Sequence, residues 1–458
     1  MGACCGVKKN NQKAPVVLET KRPKFIYFIE NHESYTSSYK IIGKIGEGAT
    51  GHVKSVKCRF TKIHRAMKSI KINSERALTK AQKELSILKK LDYPTIVRSI
   101  ESFQDNDFLH IVTEVYKGPT VYDVLKEGNG LGEKKAYEIM HQILLALNYI
   151  HRLKIMHRDL KPENLIFESE NPDSLLKLID FGSAKFIKKN FSKKKSGTLY
   201  YMSPQVIDGN YSEKCDVWSA GIIFYILVSG NHPFYSDNDQ DLLEKIRKLP
   251  VHFRSSKWQN ISYNTKEIIG KMLEKKEKHR PFVAELLAMP YFQTQKFEIP
   301  AQVSDVIGHA TVFKVFNEVY RCIINAALLR SIDSIEYSKI FLVLDKDSDG
   351  KVTKKDLSNF VSVSPDDNSI FSEFPNFYLS FSDFMICYTK WSEILTEKTA
   401  MQIFKYFDKD KDGNVSVEDF RNFQPIFTTI DYQKMNHNED KIILIDQGIF
   451  NSFVETLI

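Results

Sequence analysis

The sequence has no run of about 18 uncharged apolar residues, which excludes a membrane-spanning helix from expectation. It also lacks the apolar core of a secretory signal peptide at its N-terminus. Six cysteines in 458 residues show neither metal-ligand spacing nor the density of a disulfide scaffold. Reduced thiols in an intracellular, cytoplasmic protein are the simpler expectation. No basic stripe interleaved with aromatics is present, so the net charge of +8 does not call for a nucleic-acid partner. One absence is local. Between Asp180 and Gln205 there is no carboxylate, only six lysines: Lys185, Lys188, Lys189, Lys193, Lys194 and Lys195.

What is present fits a soluble globular chain of two to four domains, with 42% hydrophobic and 27% charged residues. The charge is unevenly spread. Residues 1–331 carry 52 Lys/Arg against 35 Asp/Glu, and residues 332–458 carry 13 against 22, so a basic body precedes an acidic tail. Contact between the two is one reading, and solvated surface charge is the other. Composition and periodicity give four segments: a basic N-terminal stretch (1–38), alternating strands and helices (39–292), a junction (293–331) and helix–acidic loop–helix units (332–458). In the junction Val312, Phe313, Phe316, Val319, Tyr320, Ile323, Ile324, Ala327 and Leu328 fall on one helical stripe. Core packing would produce the same stripe.

The run His157-Arg158-Asp159-Leu160-Lys161-Pro162-Glu163-Asn164 fits H-R-D-L-x-x-x-N. In that loop the Asp accepts the proton of a substrate hydroxyl and the Asn holds a metal ion; their spacing lets both converge on one phosphoryl group. Gly46-Glu47-Gly48-Ala49-Thr50-Gly51-His52-Val53 fits G-x-G-x-x-G-x-V between two strand-like runs. Its glycines let backbone amides approach phosphates. Ala66-Met67-Lys68 follows at the distance of a third strand, and Glu84 lies on the next helical stretch. Asp180-Phe181-Gly182 ends an apolar run 21 residues after Asp159.

Taken together, these five motifs resemble a eukaryotic protein kinase domain over residues 39–292. The resemblance implies ATP and Mg2+ in a cleft between two lobes. Asp159, Lys161 and Asn164 are the catalytic residues it implies. Ile45, Gly46, Gly48, Gly51, Val53, Ala66, Lys68, Glu84, Glu114, Tyr116 and Asp180 line the nucleotide, with Thr113 as gatekeeper and Asn164 and Asp180 on magnesium. Lys161 and Gly197-Thr198 resemble the serine/threonine branch, where Lys161 steadies the γ-phosphate and Thr198 supports Asp159. Asp216-Val217-Trp218-Ser219-Ala220-Gly221 resembles the helix that anchors the catalytic loop.

The sequence departs from the family in three places. Ser203-Pro204-Gln205 stands for Ala-Pro-Glu, so the partner of Arg280 loses its charge, and lower lobe stability is expected. Thr120 replaces a carboxylate that meets ribose and basic substrate residues, leaving Glu163 to read an upstream arginine. Arg158, which in the family meets an anion, faces the lysine-rich segment. A phosphate on Ser192 or Ser196 would supply the charge; a merely solvated basic loop is the alternative.

Asp345, Asp347, Asp349, Lys351 and Asp356, with Gly350, follow the spacing of an EF-hand loop, and Asp408, Asp410, Asp412, Asn414 and Asp419, with Gly413, repeat it. Alternate carboxylates converge on Ca2+, the glycine permits the sharp turn, and the carbonyls of Lys351 and Asn414 complete part of the shell. Both loops end in Asp where Glu is usual, which predicts weaker binding and poorer discrimination against magnesium. Residues 372–384 and 439–450 are read as two further units without ligands.

A kinase domain, an amphipathic junction and four EF-hand units resemble the calcium-dependent protein kinases of plants and protists. The fold expected is an α+β two-lobed protein kinase fold followed by an all-α EF-hand (calmodulin-like) domain. The resemblance implies a calcium-regulated serine/threonine kinase whose junction helix blocks the kinase until the tail grips it. Two alternatives are weighed: an active kinase with a structural tail, and a non-catalytic scaffold. Protein substrates in a basic context are the expected partners. Gly2, Cys4 and Cys5 are candidate acylation sites beside Lys8, Lys9 and Lys13, although Gly6 stands where myristoylation favours Ser or Thr.

Overall fold

The computed structural model describes residues 28–31, 34–48, 51–126, 128–171, 173–187, 198–293, 334–353, 355–356, 378–389, 404, 408, 412–415 and 445–446. The N-terminal lobe is a six-stranded sheet in the order β1-β5-β6-β4-β3-β2. Its strands are β1 (Ile29–Asn31), β2 (Tyr39–Gly48), β3 (Gly51–Cys58), β4 (His64–Lys71), β5 (Ser99–Gln104) and β6 (Phe108–Glu114). One helix, α1 (Glu75–Leu88), packs on it. Ser74 caps α1 by accepting from the Ala77 amide at 3.2 Å, and Ala81, Glu84, Leu85 and Leu88 form its buried face.

Residues 29–31, grouped by composition with the basic stretch, belong to this sheet. β1 runs parallel to β5, and Phe28 and Ile29 are buried. Asn31 donates to Glu101 at 2.9 Å, and the Tyr39 hydroxyl donates to the same carboxylate at 2.6 Å. The basic charge of residues 1–24 obscures the short strand Ile29-Glu30-Asn31 that follows them.

The second lobe carries α2 (Val121–Leu125), α3 (Gly132–Arg152), β7 (Ile155–Met156), β8 (Leu165–Phe167), β9 (Leu176–Leu178), β10 (Lys185–Phe186), α4 (Pro204–Asp208), α5 (Lys214–Ser229), α6 (Asp239–Lys248), α7 (Tyr263–Met272) and α8 (Val283–Leu287). Helix α5 is apolar on every face and buried nearly throughout, as a central helix must be. Val217, Trp218, Ile222, Ile223, Phe224 and Leu227 are fully buried on it, each contributing about 1.5–3 kcal/mol. Gly230 ends it in a left-handed conformation at φ 71°.

The tail supplies α9 (Ile335–Leu344), β11 (Val352–Thr353), β12 (Tyr378–Leu379), α10 (Phe381–Tyr388), β13 (Asn414–Val415) and β14 (Ile445–Asp446). Phe341 of α9 meets Phe381 and Phe384 of α10 at ring distances of 5.2 and 5.6 Å. Val352 pairs with Leu379, and Val415 with Ile445. Each aspartate-rich loop therefore shares a two-stranded ribbon with a ligand-poor segment. The junction residues 294–333 lie outside the described residues.

Candidate active site

Three elements bring the phosphate-handling charges together. Lys68 on β4 lies 2.7 Å from Glu84 on α1 and 2.8 Å from Asp180, which follows β9. Burial opposes the Lys68 charge, but the two carboxylates hold its pKa above the ordinary lysine value. Burial pushes Asp180 up, and the Lys68 charge and the Gly182 amide pull it below the usual carboxylate range. Glu84 is 4% exposed, and its burial outweighs Lys68 and raises its pKa. Asp180 takes a left-handed backbone conformation at φ 59°, and Phe181 beside it is buried edge-on to His157 at 5.0 Å.

The catalytic loop is held from both sides. Asp159 Oδ1 accepts from the Thr198 amide at 3.1 Å and from its hydroxyl at 3.2 Å. Lys161 Nζ donates to the same hydroxyl at 3.2 Å and lies 3.5 Å from Asp159 Oδ2. Asn164 donates through Nδ2 to the Asp159 carbonyl at 2.8 Å, which leaves its amide oxygen for a metal ion. Behind the loop, the Asp216 carboxylate of α5 accepts from the amides of His157 (2.9 Å) and Arg158 (2.8 Å). His151 at the end of α3 lies 2.9 Å from the same carboxylate.

The glycine hairpin joins this group through β3, whose Val53 pairs with Lys68 of β4. Gly46 pairs with Val53 and Gly48 with Gly51, while residues 49–50 lie outside the described residues. A Cβ on Gly46 would meet nothing within 4 Å, so its backbone borders open space. Ile45 is exposed, and Val53 and Ala66 are half-buried. The side chains of Glu114 and Tyr116 turn away from the cleft: Glu114 pairs with Arg98 at 2.9 Å, and the Tyr116 hydroxyl donates to Glu114 at 3.2 Å. Only their main chain is left to face a nucleotide. The donors fit the groups implied, since Asp180 and Asn164 offer hard oxygens suited to magnesium and Lys68 a cation suited to phosphate.

Arg158 finds two neutral partners among the described residues, the Ser183 carbonyl at 2.7 Å and the Tyr211 hydroxyl at 3.0 Å. Ser192 and Ser196 lie outside the described residues. Gln205 uses both ends of its amide. Its oxygen accepts from Arg280 at 2.8 Å and its nitrogen donates to the Lys275 carbonyl at 2.6 Å. Carbonyls of Lys214 and Glu274 take further Arg280 protons. Thr120 is committed to capping α2, accepting from the Asp123 amide at 3.1 Å and donating to its carboxylate at 2.6 Å. Glu163 is exposed beside the catalytic loop.

In the first calcium loop, oxygens of Asp345, Asp347 and Asp349 lie within 4.8 Å of one another. Burial and the neighbouring aspartates push Asp345 up to about 8, and Asp349 Oδ1 is buried without a hydrogen-bond partner. The oxygens of such a group are hard donors that suit a divalent cation. Gly350 at φ 79° turns its amide onto Asp345 at 2.9 Å, and in the second loop Gly413 at φ 84° turns its amide onto Asp408 at 3.2 Å. Asp408 Oδ1 is likewise buried and unpartnered, and Asp412 is exposed. Asp356 is not brought to the first triad: its carboxylate accepts from the Thr353 amide at 2.8 Å, where a shorter side chain than Glu stays. Lys351 is exposed, with its ammonium over the Tyr378 ring. Asp410, Asp419 and the side chain of Asn414 lie outside the described residues.

Sequence reasoning missed a buried polar group behind residues 114–116. Lys177 and Glu168 pair at 2.8 Å with 1% exposure each, next to Arg98 and Glu114. Ser334 of the tail donates to Glu114 at 2.7 Å. These residues are scattered over 236 positions, so no local spacing marks them.

Comparison with known proteins agrees with this geometry. The protein kinase domain profile matches residues 39–292, and the EF hand profile matches residues 338–361 and 401–424. Calcium-dependent protein kinase 3 of Plasmodium berghei (strain Anka) is 31% identical over 391 residues, which cover 81% of this chain and 70% of that protein. Calcium-dependent protein kinase 4 of the same organism is 31% identical over 427 residues, covering 86% and 81%. Calcium-dependent protein kinase 5 of Plasmodium falciparum (isolate 3D7) is 29% identical over 411 residues, covering 85% and 71%. With its charged cleft, its aspartate loops and these matches, the chain belongs to the calcium-dependent protein kinases and is a calcium-regulated serine/threonine protein kinase.

Proposed function

We propose that Asp159 accepts the proton of a substrate serine or threonine hydroxyl while Lys161 and Thr198 hold it in line. Bound ATP with magnesium supplies the γ-phosphoryl group and offsets its charge. Lys68, steadied by Glu84, would orient the α- and β-phosphates, and Asp180 and the Asn164 oxygen would hold the metal. The observation that carries this reading is the closed trio Lys68–Glu84–Asp180 beside an Asp159 already gripped by Thr198. Calcium, when bound, would supply the counter-charge of the aspartate loops, and the tail would then hold the junction stripe around Phe313 and Phe316 off the kinase. Glu163 selects an arginine upstream of the hydroxyl without a second carboxylate at Thr120.

Phosphotransfer to an arginine-containing peptide, measured in calcium and in chelator, tests the reading. Activity is expected in calcium only, and Phe313→Asp with Phe316→Asp is expected to raise activity in chelator. Equal activity of the unaltered protein in both conditions would overturn the regulatory part. The N-terminal stretch is proposed to hold the kinase at an anionic membrane through acyl chains on Gly2, Cys4 or Cys5. An intact mass without acyl groups on residues 2–5 of protein from its native cells would sink that proposal.

A further inference from the structure

The first calcium loop is seated directly on the last turn of α3. Asn148, buried on that turn, donates to the Ser348 carbonyl at 3.2 Å. Arg152, one turn on, donates through Nη1 to the Asp347 carbonyl at 2.9 Å, and its Nη2 lies 3.4 Å from Asp347 Oδ2. Between them the Tyr149 ring lies against Gly350: a Cβ there would fall 2.3 Å from its Cε2. Tyr149 is stacked on Tyr93 at 4.6 Å, and Tyr93 meets Phe341 of α9. On the far side Asp92 accepts from the amide (3.1 Å) and hydroxyl (2.7 Å) of Ser382 in the first turn of α10. Helix α3 and the α1–β5 connection thus form one receptor for the first pair of tail units.

Arg152 is the member of this receptor that bears on calcium. Its guanidinium reaches a carboxylate that belongs to the converging triad of Asp345, Asp347 and Asp349. One residue before it, His151 reaches Asp216, which holds the amides of His157 and Arg158. A single turn of helix therefore touches a calcium-ligand carboxylate on one side and the support of the catalytic loop on the other.

We propose that Arg152 competes with calcium for the Asp347 carboxylate, so that the kinase lobe sets the calcium affinity of the first loop and senses its filling through the turn that carries His151. The competition follows from charge. A side chain cannot give its full field to a divalent ion while a guanidinium shares it. Both partners are part-exposed, with side-chain exposures of 47% and 66%, so the effect is that of a solvated ion pair. Asn148 and Tyr149 keep the loop seated whether or not Arg152 is engaged.

The inference rests on calcium binding at Asp345, Asp347 and Asp349, and the experiment separates the two. Full-length protein carrying Asp408→Asn and Asp412→Asn, so that the first loop alone reports, is titrated with calcium by calorimetry. Arg152→Gln in this background is expected to tighten binding about two- to fivefold, the equilibrium equivalent of one exposed ion pair. Arg152→Lys, which keeps the charge but loses the forked contact, is expected to fall between. Amide exchange over residues 155–164 is expected to change on adding calcium to the parent protein and to change less in Arg152→Gln. Unchanged or weakened affinity in Arg152→Gln, with calcium still bound, would overturn the competition alone. No calcium binding by the parent protein would overturn the calcium reading of this loop and the inference with it. Because Arg152 is part-exposed, its replacement leaves the core of α3 intact, and the Lys variant provides a second reading if Gln disturbs it.

Discussion

In the cleft, Lys68 lies between the buried Glu84 and the half-buried Asp180 at 2.7 and 2.8 Å, so two carboxylates share a cation that the chain carries itself. In the first calcium loop, three aspartates converge, and the protein's own cations reach them only from part-exposed side chains, Arg152 lying 3.4 Å from Asp347. The electrostatic outcomes differ accordingly. Asp180 is pulled below the ordinary carboxylate range, whereas Asp345 is pushed up to about 8. A site that must always be ready holds its own counter-charge. A site that must report a concentration leaves the counter-charge to the solution.

The largest expected effect lies on the cleft side of this comparison. Asp159→Asn keeps an oxygen for the Thr198 amide but cannot take a proton. Turnover of peptide phosphorylation is expected to fall about a hundred- to ten-thousandfold, with the melting temperature nearly unchanged. Retained turnover would mean that prearranged charge alone carries the reaction. The next effect lies on the loop side. At free calcium about a hundred times the dissociation constant, each filled loop adds about 2.7 kcal/mol of stability, read by calorimetry as the difference between calcium and chelator. Asp345→Asn is expected to remove the first loop's share, because this 1%-exposed side chain can no longer supply the central charge. An undiminished calcium effect would move the response to the second loop.

The two regions also differ in how far the sequence discloses them. Asp159, Lys161, Asn164, Lys68 and Asp180 are legible because their roles fix their spacing within short motifs, and the aspartate loops are legible for the same reason. The parts that stay hidden are contacts between distant segments. Arg152 with Asp347, Asp92 with Ser382 and Glu114 with Ser334 are 195, 290 and 220 residues apart. Their types are ordinary surface types, and only the folded chain makes them partners. Residues 28–31 stayed hidden for another reason: a three-residue strand has no period to detect, and the basic stretch before it dominates the composition. Asp356 shows the limit of spacing itself. It stands at the twelfth loop position, yet the shorter side chain accepts from the backbone amide of Thr353, three residues before it, instead of joining the triad.

A matched pair of neutralisations puts the comparison to its finest test. Glu84→Gln removes a charge whose cation stays behind: burial raises the Glu84 pKa as well, but here the loss falls on the half-buried Lys68, which keeps only Asp180 as a carboxylate partner. In chelator this is expected to cost about 2 kcal/mol in denaturant unfolding, the worth of a hydrogen bond to a charged group. Asp349→Asn removes a charge of the same sign from a site with no internal cation. Burial and Asp347 already raise its pKa, and Asn trades that unfavourable charge for a neutral amide of the same size. In chelator it is expected to stabilise the protein by about 0.5 kcal/mol, the size of one relieved like-charge contact near a surface. In calcium its sign is expected to reverse, since a ligand charge is gone. If both substitutions destabilise the calcium-free protein, the loop is held by its own hydrogen bonds and the triad does not strain it. Opposite signs in chelator, with the loop's sign inverted by calcium, are what a site awaiting an external cation requires.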